Sequence, residues 1–382
     1  MILSVILGVL SLLSLALGIW QLAVALRFPL HLRLDQPRFT PGITLLKPLK
    51  GCDARTRECL ASWLTQDYAA GPRQILFGVA SADDPVCGLV RQLIAEHPGC
   101  DAQLVICPEQ LGANAKVSQL VQLHRRSSQE VVCISDADVW VPTDFLLNAV
   151  APLAQDSVGL VHSFYQMQNG TGLGMRWEAF AVNVDFWSQI LQSASLKPVA
   201  FALGAAMITT RRRLDAIGGF SALVDYLADD YQLGRRVAGT GGEIAFCPVV
   251  VECRSDTQSF AEVWAHQLRW ARTIRACQPG PFFASILSNA SIWPLLWFSF
   301  RPSVVSAAGA AVCLLFRWVS ARRLERRLTG RTTASGLAMP LVKDLLGAVT
   351  WACAFLGSGV RWRGVSYGVL PGGKLVRGRV RV

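Results

Sequence analysis

Residues 2–26, "ILSVILGVLSLLSLALGIWQLAVAL", contain no charged side chain. As a helix rising 1.5 Å per residue this run reaches about 37 Å, more than the roughly 30 Å hydrocarbon core of a bilayer. A cleaved signal peptide would place basic residues before a shorter apolar core. Here they follow, at Arg27, Arg33 and Arg38. The run therefore reads as a retained anchor with its C-terminal side in the cytosol. Composition agrees: hydrophobic residues make up 52% of the 382 and charged ones only 16%. A net charge of +11 suits either an anionic membrane surface or nucleic acid. The arginines gather beside apolar segments ("RWVSARRLERRLTGR", "VRGRVRV") and are not interleaved with aromatics on a soluble face. That favours a membrane and no nucleic-acid partner.

Three regions follow: a transmembrane anchor over 1–27, a globular domain over 40–275, and apolar segments with a basic tail over 276–382. In the middle region, β-rich runs ("GITLLKPL", "RQILFGVA", "AQLVICP", "EVVCISDADV", "SVGLVHSFY", "GEIAFCPVVVEC") recur. The earlier ones alternate with "DPVCGLVRQLIAEHPG" and "AKVSQLVQLHRRS", which have helical apolar spacing. Strands alternating with helices of this length predict an α/β fold with a mostly parallel sheet, whose ligands bind beyond the carboxyl ends of the strands. The eleven cysteines form no CxxC pair; Cys107, Cys133 and Cys247 fall inside strand runs and read as reduced, small hydrophobes facing the cytosol. Apolar stretches return at 281–300, 303–318 and 339–360, with an arginine-rich cytosolic loop predicted over 319–331. The number of crossings, the side of the tail and the oligomeric state stay open.

The run "VVCISDADVWV" stops at Asp136 and Asp138. Adjacent carboxylates repel, and burying one alone costs several kcal/mol. A cation between them resolves the conflict. Carboxylates select hard ions such as Mg²⁺ or Mn²⁺, which also accept phosphate oxygens, so the pair suits a metal–diphosphate site; the competing role is a turn or helix cap. Asp53 ends the first strand and Asp83 and Asp84 end the second, placing acids at one edge of the sheet. Lys116, in "GANAK", is either a contact to a nucleotide phosphate or a solvated surface lysine. In "LADDYQLGRR" one of Asp229 and Asp230 suits a helix start, leaving the other as a general base for an alcohol. "WAHQLRWARTIR" spaces His266, Arg269 and Trp270 along a helix that fits a phosphate contact, an apolar acceptor wall or a membrane surface.

These blocks, in this order, resemble the ceramide glucosyltransferase family of membrane glycosyltransferases: "LLKPLKGCD", "GANAK", "SDADVWV", "VGLVH", "LDAIGGF", "YLADDYQL", "LRWART" and the tail "RWRGVSYGVLPGG". The resemblance implies a GT-A nucleotide-sugar fold, a UDP-sugar donor, Mg²⁺ or Mn²⁺, and inversion at the anomeric carbon. By motif position Asp53, Asp83 and Asp84 would hold the uridine part. Asp136 and Asp138 would carry the metal–diphosphate, and Asp230 would be the base. Arg269 and Trp270 would close the site, with His266 where the family usually has Gln or Arg. Asp138 stands where ceramide enzymes often lack a second acid, and a bacterial hopanoid-glycosylating branch that uses N-acetylglucosamine fits equally well. The implied activity is transfer of one glucose or N-acetylglucosamine to a membrane-lipid hydroxyl in glycolipid synthesis. It would take place at a bacterial inner membrane or, in a eukaryote, the Golgi or ER. A processive polysaccharide synthase would need more membrane helices, and a non-catalytic UDP-sugar-binding protein would not need to keep Asp53, Asp136, Asp138 and Asp230.

Overall fold

The computed structural model describes residues 1–34, 39–68, 71–168, 170, 172–331, 336–362 and 364–377. Arg38 and the last basic residues of the tail, 378–382, lie outside them.

The predicted strands form β1 (Ile43–Pro48), β2 (Arg73–Val79), β3 (Asp101–Ile106) and β4 (Val131–Ser135). β1 pairs in parallel with both β2 and β4, and β2 with β3. Crossovers run through α1's successors; α1 itself is the apolar helix Ile2–Arg27, and the connecting helices are α2 (Thr56–Leu64), α3 (Val86–Glu96) and α4 (Ala115–His124). β1 is buried along its whole length, with Ile43 and Leu45 in one core layer beside Trp63 and Leu46 in the other beside Val117 and Leu120. That two-sided burial explains why the strand shows no apolar–polar alternation.

The sheet extends through β5 (Val139–Trp140), β6 (Val158–Met167), β7 (Ala206–Thr210) and β8 (Glu243–Cys253), in the order β3-β2-β1-β4-β7-β6-β8-β5. β7 is antiparallel to both neighbours, β4 and β6. Its five residues, "AMITT", are too short to stand out in the sequence. The sheet is mixed but mostly parallel, as expected. All eleven cysteines are free thiols.

Beyond β6, helix α5 (Leu173–Phe180) continues through a π-helical stretch, Ala181–Phe186, into α6 (Trp187–Ala194). Four more helices matter here: α7 (Asp229–Gly239), α8 (Phe260–Cys277), α9 (Ile292–Phe300) and α10 (Val304–Thr329). Among the described residues two helices, α1 and α10, are long and apolar enough to cross a membrane. A third candidate is the pair Pro279–Ser288 and α9, bent by 55°. The short apolar segment and arginine-rich loop predicted over 303–331 are one helix of 26 residues. A capping box at Ser303 and Ser306 starts it, and Gly330, at φ 71°, ends it. The arginines between are good helix formers, and Arg317 is buried against Asp185 and Asp344, 2.8 Å from each.

After α11 (Met339–Phe355), the chain forms a small antiparallel sheet of β9 (Gly359–Trp362), β10 (Val365–Val369) and β11 (Leu375–Arg377).

Candidate active site at the carboxyl edge of the sheet

The turn 136–138 lies between the end of β4 and the first residue of β5. Its backbone is held on several sides: Ala205 O accepts from Asp136 N at 3.3 Å and Asp138 O accepts from Arg254 N at 2.8 Å. Beneath it lies Lys47, fully buried in β1. Its ammonium donates to Ser135 Oγ (3.1 Å), to the Asp136 carbonyl and to the Val139 carbonyl (3.4 Å), and sits 4.9 Å from the Trp63 ring centroid. Burial pushes Lys47 down to about 8, against the pull of nearby Cys59, Asp138 and Asp136. In the sequence Lys47 is marked only as a charge inside the otherwise apolar run "LLKPL", with no period that sets it apart.

Lys116 is no surface lysine. Asn114 caps α4 by accepting from Val117 N at 3.1 Å, which turns Lys116 inward. Its side chain is 10% exposed, and Nζ lies 2.7 Å from Asp136 Oδ1 and 3.1 Å from Asp229 Oδ2. Burial alone would lower this ammonium, but the two carboxylates outweigh it and hold it well above its ordinary value. Asp229 and Asp230 are the first two residues of α7, whose N-cap is Ala228, and Asp230 Oδ1 accepts from Tyr231 N at 2.7 Å. Asp229 is committed to Lys116. Asp230 is pushed up to about 7 by burial and then by the Asp229 carboxylate, with Lys116 opposing. Gly204 packs against it so closely that a Cβ there would lie 2.9 Å from Asp230 Oδ2. Asp138 is exposed at the cleft, yet desolvation and then the Asp136 carboxylate raise it to about 6. Solvent in the open cleft offsets part of that desolvation.

The neighbouring loops carry the remaining acids. Asp53 Oδ1 accepts from Arg55 N, Thr56 N and Thr56 Oγ1 at 2.7–2.9 Å, anchoring the start of α2. Asp84 receives Gly51 N on both oxygens, at 3.0 and 3.1 Å, and ties the loop after β2 to the loop after β1. Asp83 is exposed. These bonds give Asp53 and Asp84 structural duties at the sheet edge.

On α8, His266 Nδ1 pairs with the buried Glu178 Oε1 at 2.6 Å, and Gln267 donates to the same oxygen at 2.9 Å. Trp270 lies 4.7 Å from the His266 ring and 6.0 Å from Phe186, which in turn is 5.5 Å from Tyr165. Tyr165 is raised well above its ordinary value by burial and by its electrostatic neighbours, Asp230, Glu178 and Asp136 among them. An aromatic chain thus runs from α8 to the acid cluster. Arg269, half-buried, occupies the same helix. Glu178 was not singled out from sequence; the aromatic-flanked "RWEAF" has no spacing signal for it.

Among the described residues no group of three or more His, Cys, Asp or Glu converges. A divalent ion at this turn would take Asp136 and Asp138 from the protein, with substrate phosphates and water supplying the remaining ligands.

This sheet, with its acids at the carboxyl edge, has the GT-A nucleotide-sugar fold. A mannosyltransferase from Pyrobaculum calidifontis, solved with GDP-Man and Mn2+, superposes with a TM-score of 0.55 at 22% identity, over 90% of this chain and 97% of that one. The chain belongs to glycosyl transferase family 21, whose model matches residues 5–375. It is 24% identical over 254 residues to ceramide glucosyltransferase 3 of Caenorhabditis elegans, covering 66% of this chain and 55% of that one. It is 23% identical over 262 residues to a beta-monoglucosyldiacylglycerol synthase of Trichormus variabilis, covering 68% and 54%. The chain spans about half the length of these curated relatives.

Proposed function

We propose that this protein is a membrane-bound, inverting glycosyltransferase that moves one hexose from a UDP-sugar to the hydroxyl of a lipid. The observation that carries this reading is the division of labour between adjacent acids: Lys116 binds Asp136 and Asp229, while the half-buried Asp230 is raised to about 7. A base with that value takes up a proton at neutral pH and is half ionised there. The relatives named above support a lipid acceptor, and the two long apolar helices support a membrane setting.

Asp230 accepts the proton of the acceptor hydroxyl, and the oxygen attacks the anomeric carbon opposite the leaving diphosphate, giving a β-glycoside. Lys116 holds Asp136 and Asp229 in place while this happens. A Mg²⁺ or Mn²⁺ ion held by Asp136 and Asp138 would neutralise the departing UDP. Arg269 adds positive charge to the closing face. Trp264 stacks near Trp177 and Phe260, at 5.9 and 6.5 Å, and with Trp270 offers an apolar wall for the acceptor. Asp53, Asp83 and Asp84 border the uridine end. The basic residues after α1 support a cytosolic side for the catalytic domain.

The test incubates the purified full-length chain in lipid nanodiscs with UDP-glucose, UDP-N-acetylglucosamine and GDP-mannose plus a lipid extract. New glycolipids are identified by mass spectrometry. One sugar added to a lipid from a UDP donor is the expected product. A long polymer, or no transfer from any donor, sinks the proposal.

A further inference from the structure

The tail "RWRGVSYGVLPGG" has no place in the chemistry above, yet it returns from the membrane helices to the catalytic edge. Its sheet has a small core of its own, with Val360, Tyr367, Val369 and Leu375 around Leu227. It docks on two loops that present site residues. Tyr367 Oη donates to Ala113 O at 3.3 Å, two residues before α4 and three before Lys116. Leu375 N donates to Asp225 O at 2.7 Å, and Leu227 N to Gly373 O at 2.9 Å, just ahead of Asp229. Asp225 in turn accepts from Ala113 N at 3.0 Å. One set of bonds therefore joins tail, Lys116 loop and α7.

Between the tail and the sheet lies a cavity of about 150 Å³, lined by Lys50, Gln110, Ala113, Trp362, Tyr367 and Arg377 among others. Lys50 follows β1 and Gln110 follows β3, so the cavity opens on the same edge as Asp136. Its lining has two cations and no acid. Aromatic rings with flanking cations match a planar heterocycle bearing phosphates: the ring stacks on an aromatic face and the anionic group meets lysine or arginine.

We propose that the C-terminal sheet forms the outer wall of the donor pocket, with Trp362 and Arg377 contacting the nucleotide of the sugar donor. This rests on the nucleotide-sugar reading given above. The tail then acts in donor affinity, and the acids act in transfer.

The experiment measures UDP binding in the presence of Mn²⁺ by isothermal titration, using full-length protein in nanodiscs, alongside donor KM and kcat. Trp362→Ala is expected to weaken UDP binding about tenfold, as loss of one stacked ring does. Trp362→Phe, which keeps a ring, should stay within about threefold of wild type. Arg377→Ala should weaken binding several-fold and give a second reading if Trp362→Ala fails to fold. In each folded variant donor KM rises and kcat at saturating donor holds. Arg361→Ala, in β9 but outside the cavity lining, should bind as wild type does. Unchanged UDP affinity in folded Trp362→Ala and Arg377→Ala overturns this assignment and leaves the transferase reading standing. Wild-type protein that binds no nucleotide overturns both.

Discussion

The Lys116 ammonium lies 2.7 Å from Asp136 Oδ1, and this single contact joins the acid turn after β4 to the start of α7, because the same nitrogen also reaches Asp229. Removing one partner of a buried pair leaves the other charge uncompensated. Lys116→Met should destabilise the domain by about 3 kcal/mol and abolish transfer. Lys116→Arg should recover part of the stability. Thermal unfolding and a transfer assay read both; a Lys116→Met variant as stable as wild type would refute the role given to this contact.

Asp136→Asn and Asp138→Asn should each cost transfer more than the roughly 100-fold that losing an outer-shell partner of a metal can cost. Because Asp138 is raised to about 6, Mn²⁺ binding should weaken as pH falls through 6, where the carboxylate gains its proton. Titrating Mn²⁺ at pH 5.5 and 7.5 checks the sign. Equal affinity at the two would remove Asp138 from the ion.

As the proposed base, Asp230 acts ionised, so kcat/KM should rise with pH through about 7 in wild type. Asp230→Asn should lose about 10²–10⁴-fold, whereas Asp229→Asn should disturb Lys116 and lower stability as well. The linkage to folding has the opposite sign. A carboxyl raised from its ordinary value near 4 to about 7 favours the protonated fold, and that stability is lost as pH rises between the two values. Asp230→Asn should therefore unfold at a higher temperature than wild type at pH 8, with a smaller gain at pH 5. A pH-independent difference would contradict the assignment.

In the membrane-facing half, Arg317 on α10 bonds Asp185 and Asp344, and Asp344 also accepts from Ser291 at 2.6 Å. Arg317→Ala leaves Asp185 and Asp344 sharing the Lys343 ammonium and should lower stability by about 3 kcal/mol. Unfolding monitored in detergent should show it as an early loss of the helical signal.

The parallel half of the sheet was legible because β1, β2 and β4 are buried on both faces and read as largely apolar runs without alternation. The acids were legible because they stop those runs. Lys116 was visible as a residue but not in its role: nothing in "GANAK" says that the chain will bring Asp229, 113 positions later, to the same nitrogen. Lys47 was hidden by its setting, since a buried lysine in a strand offers no period to detect. Over 303–331 local charge misled, because arginines that read as a solvated loop continue a helix once Asp185 and Asp344 arrive from elsewhere to neutralise one of them. The tail, too, was readable as a motif but not as a wall, because its partners are remote in sequence.

The hydrogen bond from Tyr367 to Ala113 spans 254 positions, and both long apolar helices precede it or lie within that span. Every acid of the cluster, and the helix Val304–Thr329, is therefore synthesised before residues 359–377 can dock. Until then the Lys116 loop and the start of α7 lack their common brace. The site is thus braced last, after both long apolar helices have been made.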